Sequence, residues 1–262
     1  MGSKSETIEI APGRTMQFVV RGGASPVRVL HLHGGAFAGT VRCGAPVAAV
    51  LAEAGAVVFS ADYPVGTAHP FPEALEAVYA ALMQLARGRS RHPWFVAGEE
   101  AGGNLAAALA LMCRDRLQPK LAGQILLSPM LDPRLGTCSV RAVEAGAAGC
   151  KWAIGWHEYL RSADRACHPY AAPSLALRLA GVAPALIVTG PNDPMADEAR
   201  DYAARLRESG VKALERRIAA GESWPDALLG AAASAPSWAA ELREAAAEFY
   251  ATAATRTSAQ HC

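Results

Sequence analysis

Along this chain the apolar residues arrive in short, unbroken runs of strand length. Five of them read as core strands, "VRVLHL" (Val27–Leu32), "AVVFSA" (Ala56–Ala61), "WFVAG" (Trp94–Gly98), "GQILLS" (Gly123–Ser128) and "ALIVTG" (Ala185–Gly190), and "KALERRI" (Lys212–Ile218) reads as a further strand. All but the last are rich in Val, Ile, Leu or Phe, and Gly, Pro or Asp bounds them, as strands covered on both faces require. The stretches between them change to a helical period. Leu105, Ala108, Leu109 and Met112 fall on one face, as do Ala199, Tyr202, Ala203 and Leu206 before Gly210, which suits a helix C′ position. An Ala-rich segment from Pro236 to Thr255 predicts a closing helix. Strands alternating with helices predict an α/β fold, a mostly parallel, doubly wound sheet with its site at the carboxyl ends of the strands.

One region breaks the rhythm. Leu131 to Ser174 contains "AVEAGAAGCKWAIGWHEYL", which reads as a helix inserted over the carboxyl edge of the sheet. With no internal repeat and no long linker, residues 1–262 are expected to form one domain, with 131–174 as a small helical cap.

Composition narrows the class. Of the 262 residues 52% are hydrophobic and 19% charged, so a sizeable core is expected. The net charge is +1, and no long run of Lys or Arg argues for a nucleic acid or an anionic membrane as partner. The N-terminus lacks the pattern of a signal peptide, and no apolar run approaches the roughly 20 residues that span a bilayer. A cytoplasmic location is the expectation. The six cysteines (Cys43, Cys113, Cys138, Cys150, Cys167, Cys262) have no C-x-x-C spacing and read as reduced thiols. Neither a metal site nor a cofactor is implied.

Two short motifs carry the chemistry. In "WFVAGEEAGGNLAAALAL", a strand runs through Gly98-Glu99-Glu100-Ala101-Gly102 into a helix. That is the outline of a G-x-S-x-G nucleophile elbow, with Glu100 in the serine position. Some 65 residues earlier, "HLHGGAF" places two glycines at a strand exit. Glycine there lets backbone N–H groups close on a bound oxygen, as an oxyanion hole needs, with Gly34, Gly35 and Ala101 as the expected donors.

The chain resembles the hormone-sensitive-lipase-like branch of the α/β-hydrolases, a carboxylesterase group. The resemblance runs from about Val27 to Gly230 through "HGGAF", "ADYPVGTAHPFPEALEAVYAAL", "GEEAGGNLAAALAL", "LLSPMLD", "HPYAAPS" and "GPNDPMADEARDYAARLRESGV". It implies the α/β-hydrolase fold and a Ser-His-Asp triad, in which serine attacks a carbonyl, histidine takes its proton and aspartate orients the imidazole. Carried over by position, the nucleophile is Glu100, the aspartate is Asp193 and the histidine falls on Trp224 in "GESWPDALL". Ser223 and Asp226 flank that position, but neither is a proton shuttle at neutral pH. Asp193 also precedes Pro194 at a predicted helix start, so capping alone is a competing account of it.

Glu100 admits three readings. Its carboxylate can fold back onto the N–H groups of Gly35 and Ala101, giving an inert pseudo-esterase that keeps a binding role. Left free and partly desolvated, it can act as a general base beside the oxyanion donors, in isomerase, lyase or cyclase chemistry on a carbonyl compound. As a carboxylate nucleophile it would make an unconventional hydrolase, one lacking the histidine that normally releases the ester. Glu99 reads as a structural or surface carboxylate, while His33 organises the glycine loop and His69 is structural. A small, largely apolar ligand is expected against His33, Phe37, Trp156, His157 and Trp224. For His157 and the neighbouring Trp152, Trp156 and Tyr159, packing against the sheet is the competing account. Fuller members of the branch carry an N-terminal cap, whereas only about 26 residues precede the first conserved strand here. A shortened lid follows, open or completed by a homodimer.

Overall fold

The computed structural model describes residues 2–87, 92–143, 147–219, 228 and 237–259. The strands are β1 (Ser3–Ala11), β2 (Arg14–Arg21), β3 (Arg28–Leu32), β4 (Val57–Asp62), β5 (Trp94–Glu99), β6 (Leu121–Leu127), β7 (Ala185–Thr189) and β8 (Ala213–Arg217). They form one sheet in the order β1-β2-β4-β3-β5-β6-β7-β8. From β4 to β8 all neighbours are parallel, and β1 and β2 join antiparallel at one edge. All six predicted strands are present, shifted by at most two residues at their starts. The β1–β2 hairpin is the addition. Most of β1 is exposed, so it lacks the apolar runs that betray the central strands.

The helices are α1 (Ala45–Glu53), α2 (Glu73–Ala86), α3 (Ala101–Asp115), α4 (Cys138–Val143), α5 (Ala147–Leu160), α6 (Ala196–Glu208) and α7 (Ala239–Ala259). Two apolar cores flank the sheet. One joins α2, α3 and α6 to one face through residues such as Leu75, Leu82, Leu105, Leu109, Tyr202 and Leu206. The other joins α1 and α7 to the opposite face through Val47, Leu51, Trp238, Leu242 and Phe249. The central strand β5 is buried along its whole length, which accounts for its continuous apolar run.

This topology positions the site. The chain leaves β3 for β4 on one side and returns to β5 on the other, so the crevice between β3 and β5 is the topological switch point. The glycine loop leaves the carboxyl end of β3, and Glu100 follows β5 directly. Leu32 pairs with Gly98 across these strands, which brings the two turns side by side.

Candidate active site

Residue 100 sits at a strained turn. Its backbone has φ 53° and ψ −116°, a conformation rarely adopted by a residue with a side chain. The Glu100 N–H donates to the Leu127 carbonyl (2.9 Å), and its own carbonyl accepts from Met130 N–H (3.0 Å) and Asn104 N–H (3.2 Å). A Cβ on Gly102 would overlap the Leu32 carbonyl oxygen, so the turn closes only with glycine there. This is the geometry of a nucleophile elbow, with a carboxylate where a hydroxyl is expected.

The loop opposite is built to bind an anion. Gly35, Ala36 and Phe37 all have positive φ (104°, 50° and 60°), a short left-handed turn in which successive N–H groups run nearly parallel. Both of its leading donors end on one atom. Glu100 Oε2 accepts from Gly35 N–H at 2.5 Å and from Ala36 N–H at 2.8 Å. Glu100 Oε1 accepts from the Trp152 indole N–H at 2.6 Å, and the Lys151 ammonium lies 3.9 Å from the same oxygen. The Glu100 side chain is fully buried. Burying a lone carboxylate costs several kcal/mol. Here three N–H donors and a cation offset that cost, at about 1.5–3 kcal/mol for each bond to a charged group.

Helix α5 closes the site from above. Trp152, Gly155, Trp156 and Tyr159 follow the i, i+3, i+4, i+7 spacing of one helix face, and all four are buried. A Cβ on Gly155 would overlap the Ala36 carbonyl oxygen, so the helix backbone rests directly on the anion-binding turn. Phe37 stacks on Tyr159 (ring centroids 4.1 Å apart, planes 3° apart) and meets Trp156 at 5.1 Å. Helix α5, within the 131–174 segment, is thus pressed down upon the loop.

A family model described as alpha/beta hydrolase fold matches residues 29–221, which span the glycine loop, the elbow and Asp193. The chain belongs to the α/β-hydrolase family. Within it, the hormone-sensitive-lipase-like carboxylesterase branch is the one its relatives represent. It is 34% identical to the carboxylic ester hydrolase LipN of Mycobacterium tuberculosis over 204 residues, 72% of this chain and 54% of that protein. It is 31% identical to an esterase of Acinetobacter venetianus over 198 residues, 70% of this chain and 62% of the other. The chain thus spans between half and two thirds of the length of these relatives. Among solved structures, a bacterial heroin esterase superposes with a TM-score of 0.80 at 28% identity, covering 95% of this chain and 84% of the other.

In this α/β-hydrolase, the other acidic residue of the elbow supports the loop from beneath. Glu99 is fully buried; its Oε2 lies 2.8 Å from His31 Nε2, and its Oε1 accepts from Gly34 N–H at 2.8 Å. His31 Nδ1 in turn meets Ser60 Oγ at 3.1 Å. The Gly34 N–H, expected at the oxyanion site, is therefore directed to Glu99, while Ala36 supplies the second donor to Glu100. Ala101, the other expected donor, is buried as the first residue of α3.

His33 is 1% exposed and stacks on Tyr63 at 4.3 Å. Burial holds its imidazole below the usual histidine range, and its Nδ1–H donates to the Gly34 carbonyl at 3.0 Å. Tyr63 fixes the same loop by donating its hydroxyl to the His33 carbonyl at 2.5 Å. Burial, followed by the nearby Glu99 and Glu100 carboxylates, pushes that phenol well above its ordinary value, so it stays a donor.

Asp193 is buried at the far side of the site. Its Oδ2 accepts from the Ser128 hydroxyl at 2.6 Å and its Oδ1 from Met195 N–H at 2.9 Å. The expected helix start is corrected: the N-cap of α6 is Met195, so Asp193 closes a turn two residues earlier and Pro194 lies outside the helix. With Thr189 and Arg200, Asp193 also lines a cavity of about 650 Å³. Glu198 on α6 is buried and accepts from Leu131 N–H (3.1 Å) and Asp132 N–H (2.7 Å). Burial pushes its carboxyl well above the usual range.

His157 does not join the site; it is exposed on the outer side of α5. Trp224, Ser223 and Asp226 lie outside the described residues. Among the described residues no cluster of His, Cys, Asp and Glu could hold a metal ion, and no helix is long and apolar enough to cross a membrane. The contacts missed from sequence are Ala36, Trp152 and Lys151. The signal for Trp152 was its place in the cap helix beside Trp156, but nothing in the spacing aimed its N–H at residue 100.

Proposed function

We propose that this chain is a pseudo-esterase: a carboxylesterase-like fold that binds a small, largely apolar molecule without hydrolysing it. One observation carries the reading. Both Glu100 oxygens are engaged, one by Gly35 and Ala36 and the other by Trp152 beside Lys151. A carboxylate so held has three of its roughly four acceptor sites taken and a cation beside it, which makes it a weak base, and the donors that would stabilise a reacting oxyanion are already occupied. The named relatives are esterases, but their activity needs a nucleophile and a proton shuttle. At the corresponding positions this sequence has Glu100 and Trp224.

The binding role is supported by polar groups left over at the seal. His33 Nε2 and the Tyr159 hydroxyl are buried and have no partner among the described residues. Such orphans are uncommon and mark places where a ligand or water completes the bonding. They lie against the aromatic surface of Tyr63, Phe37 and Trp156, which suits a flat or apolar molecule carrying one or two polar atoms.

The general-base reading requires α5 to lift and release Glu100. Turnover of p-nitrophenyl acetate and butyrate, with a parallel screen of carbonyl compounds for proton exchange at the α-carbon, separates the readings. The pseudo-esterase shows neither, in the parent chain or in Glu100→Gln. Deuterium incorporation by the parent that vanishes in Glu100→Gln establishes the base, and ester turnover that vanishes there establishes a hydrolase.

A further inference from the structure

The outer side of α5 carries a second cavity, separate from the sealed elbow. It measures about 590 Å³, within the range of small-molecule sites. Leu135, Trp156 and Leu160 are among its apolar lining residues, with His157 and Arg161 alongside. Both polar residues are exposed, and neither side chain has an ion-pair or hydrogen-bond partner among the described residues.

The surrounding charges sharpen this. Arg134 also lines the cavity, but its guanidinium is bonded to Asp132 by two nitrogens, so that pair is neutral. Neither Asp164 nor Glu158 is among the lining residues. Arg161 is then a lining cation without an ion-pair partner among the described residues, with the His157 imidazole four residues before it.

We infer that this groove is a binding site for a monocarboxylate with an aliphatic tail, the carboxylate at Arg161 and His157 and the tail along Leu135, Trp156 and Leu160. A guanidinium offers two parallel N–H groups to a carboxylate, and the apolar wall takes the chain. The site does not depend on the state of Glu100, because α5 stands between the two.

Calorimetric titration of the full chain with sodium octanoate, against 1-octanol, tests the inference. Octanoate should bind saturably with one equivalent, and octanol at least fivefold more weakly. Arg161→Ala should weaken octanoate binding about fivefold or more, the loss of one partly exposed ion pair. Arg161→Ala/His157→Ala should weaken it further, and Trp152→Phe, on the inner face, should leave it unchanged. Thermal unfolding checks that each variant is folded, with Arg161→Gln as the substitute if the alanine variant is not. No saturable binding, equal binding of octanol, or unchanged affinity in Arg161→Ala overturns the proposal. Binding lost in Phe37→Ala but kept in Arg161→Ala would locate the ligand at the inner seal instead, and overturns it equally.

Discussion

Helix α5 has two faces of opposite chemistry. Inward, Trp152, Gly155, Trp156 and Tyr159 are buried, and the Glu100 carboxylate beneath them accepts bonds at both oxygens. Outward, Ala153, Ile154 and His157 are exposed, and the cavity beside them holds Arg161, which has no ion-pair partner among the described residues. In a hydrolase with a working elbow, the anion-binding groups must face a vacant space. Here they face the protein's own side chain, and a cavity of about 590 Å³ lies on the helix's other side. A motif match therefore reports the backbone of a site faithfully and its occupancy not at all.

The contrast can be broken most forcefully at its centre. Glu100→Ala strips the shared acceptor from three buried donors and an ammonium; the expected loss is about 3–5 kcal/mol in urea unfolding, as when one partner of a buried ion pair is removed. Added acetate should recover part of it. A loss below about 1 kcal/mol would mean that the donors do not depend on the carboxylate.

Next is the fit of the helix itself. Gly155→Val drives a side chain into the Ala36 carbonyl and should cost about 1–3 kcal/mol. Ala153→Val, on the exposed face, should stay within about 0.5 kcal/mol. Equal effects at the two positions would deny the asymmetry. Trp152→Phe keeps the ring packing but removes one bond to a charged group, for an expected loss of about 1.5–3 kcal/mol. Measured together with Glu100→Gln in a double-mutant cycle, it gives the coupling directly.

The smallest effect is a pH dependence. Burial lowers the His33 pKa below its ordinary 6.5, so the unfolded chain binds the proton more tightly than the folded one. Stability is then full above about 6.5 and falls as the pH drops towards the lowered value, by no more than about 1.4 kcal/mol per pH unit for one proton. His33→Phe should flatten that part of the curve, and an unchanged slope would assign it to other groups.

Much of the architecture was legible because burial writes itself into apolar runs. The fully buried β5 and the small residues of the elbow are the clearest cases, and both turns of the site were placed from them. The β1–β2 hairpin was missed because an exposed edge strand imposes no such run. The second donor to Glu100 was expected at Ala101 and lies at Ala36. Glycine spacing marks where a left-handed backbone is easy, yet Ala36 and Phe37 adopt it without being glycine. Trp152 and Lys151 were beyond reach for another reason. Which face a cap helix turns to the sheet is decided by tertiary packing, and a sequence separation of 52 between Glu100 and Trp152 leaves no local trace of it.

The Trp152–Glu100 bond also bears on what a single substitution can do here. Serine placed at position 100 would leave an indole N–H and an ammonium directed at a side chain too short to meet them, beneath a helix whose glycine rests on the loop. The elbow and its cover are one fitted unit, and opening it takes changes at several positions at once.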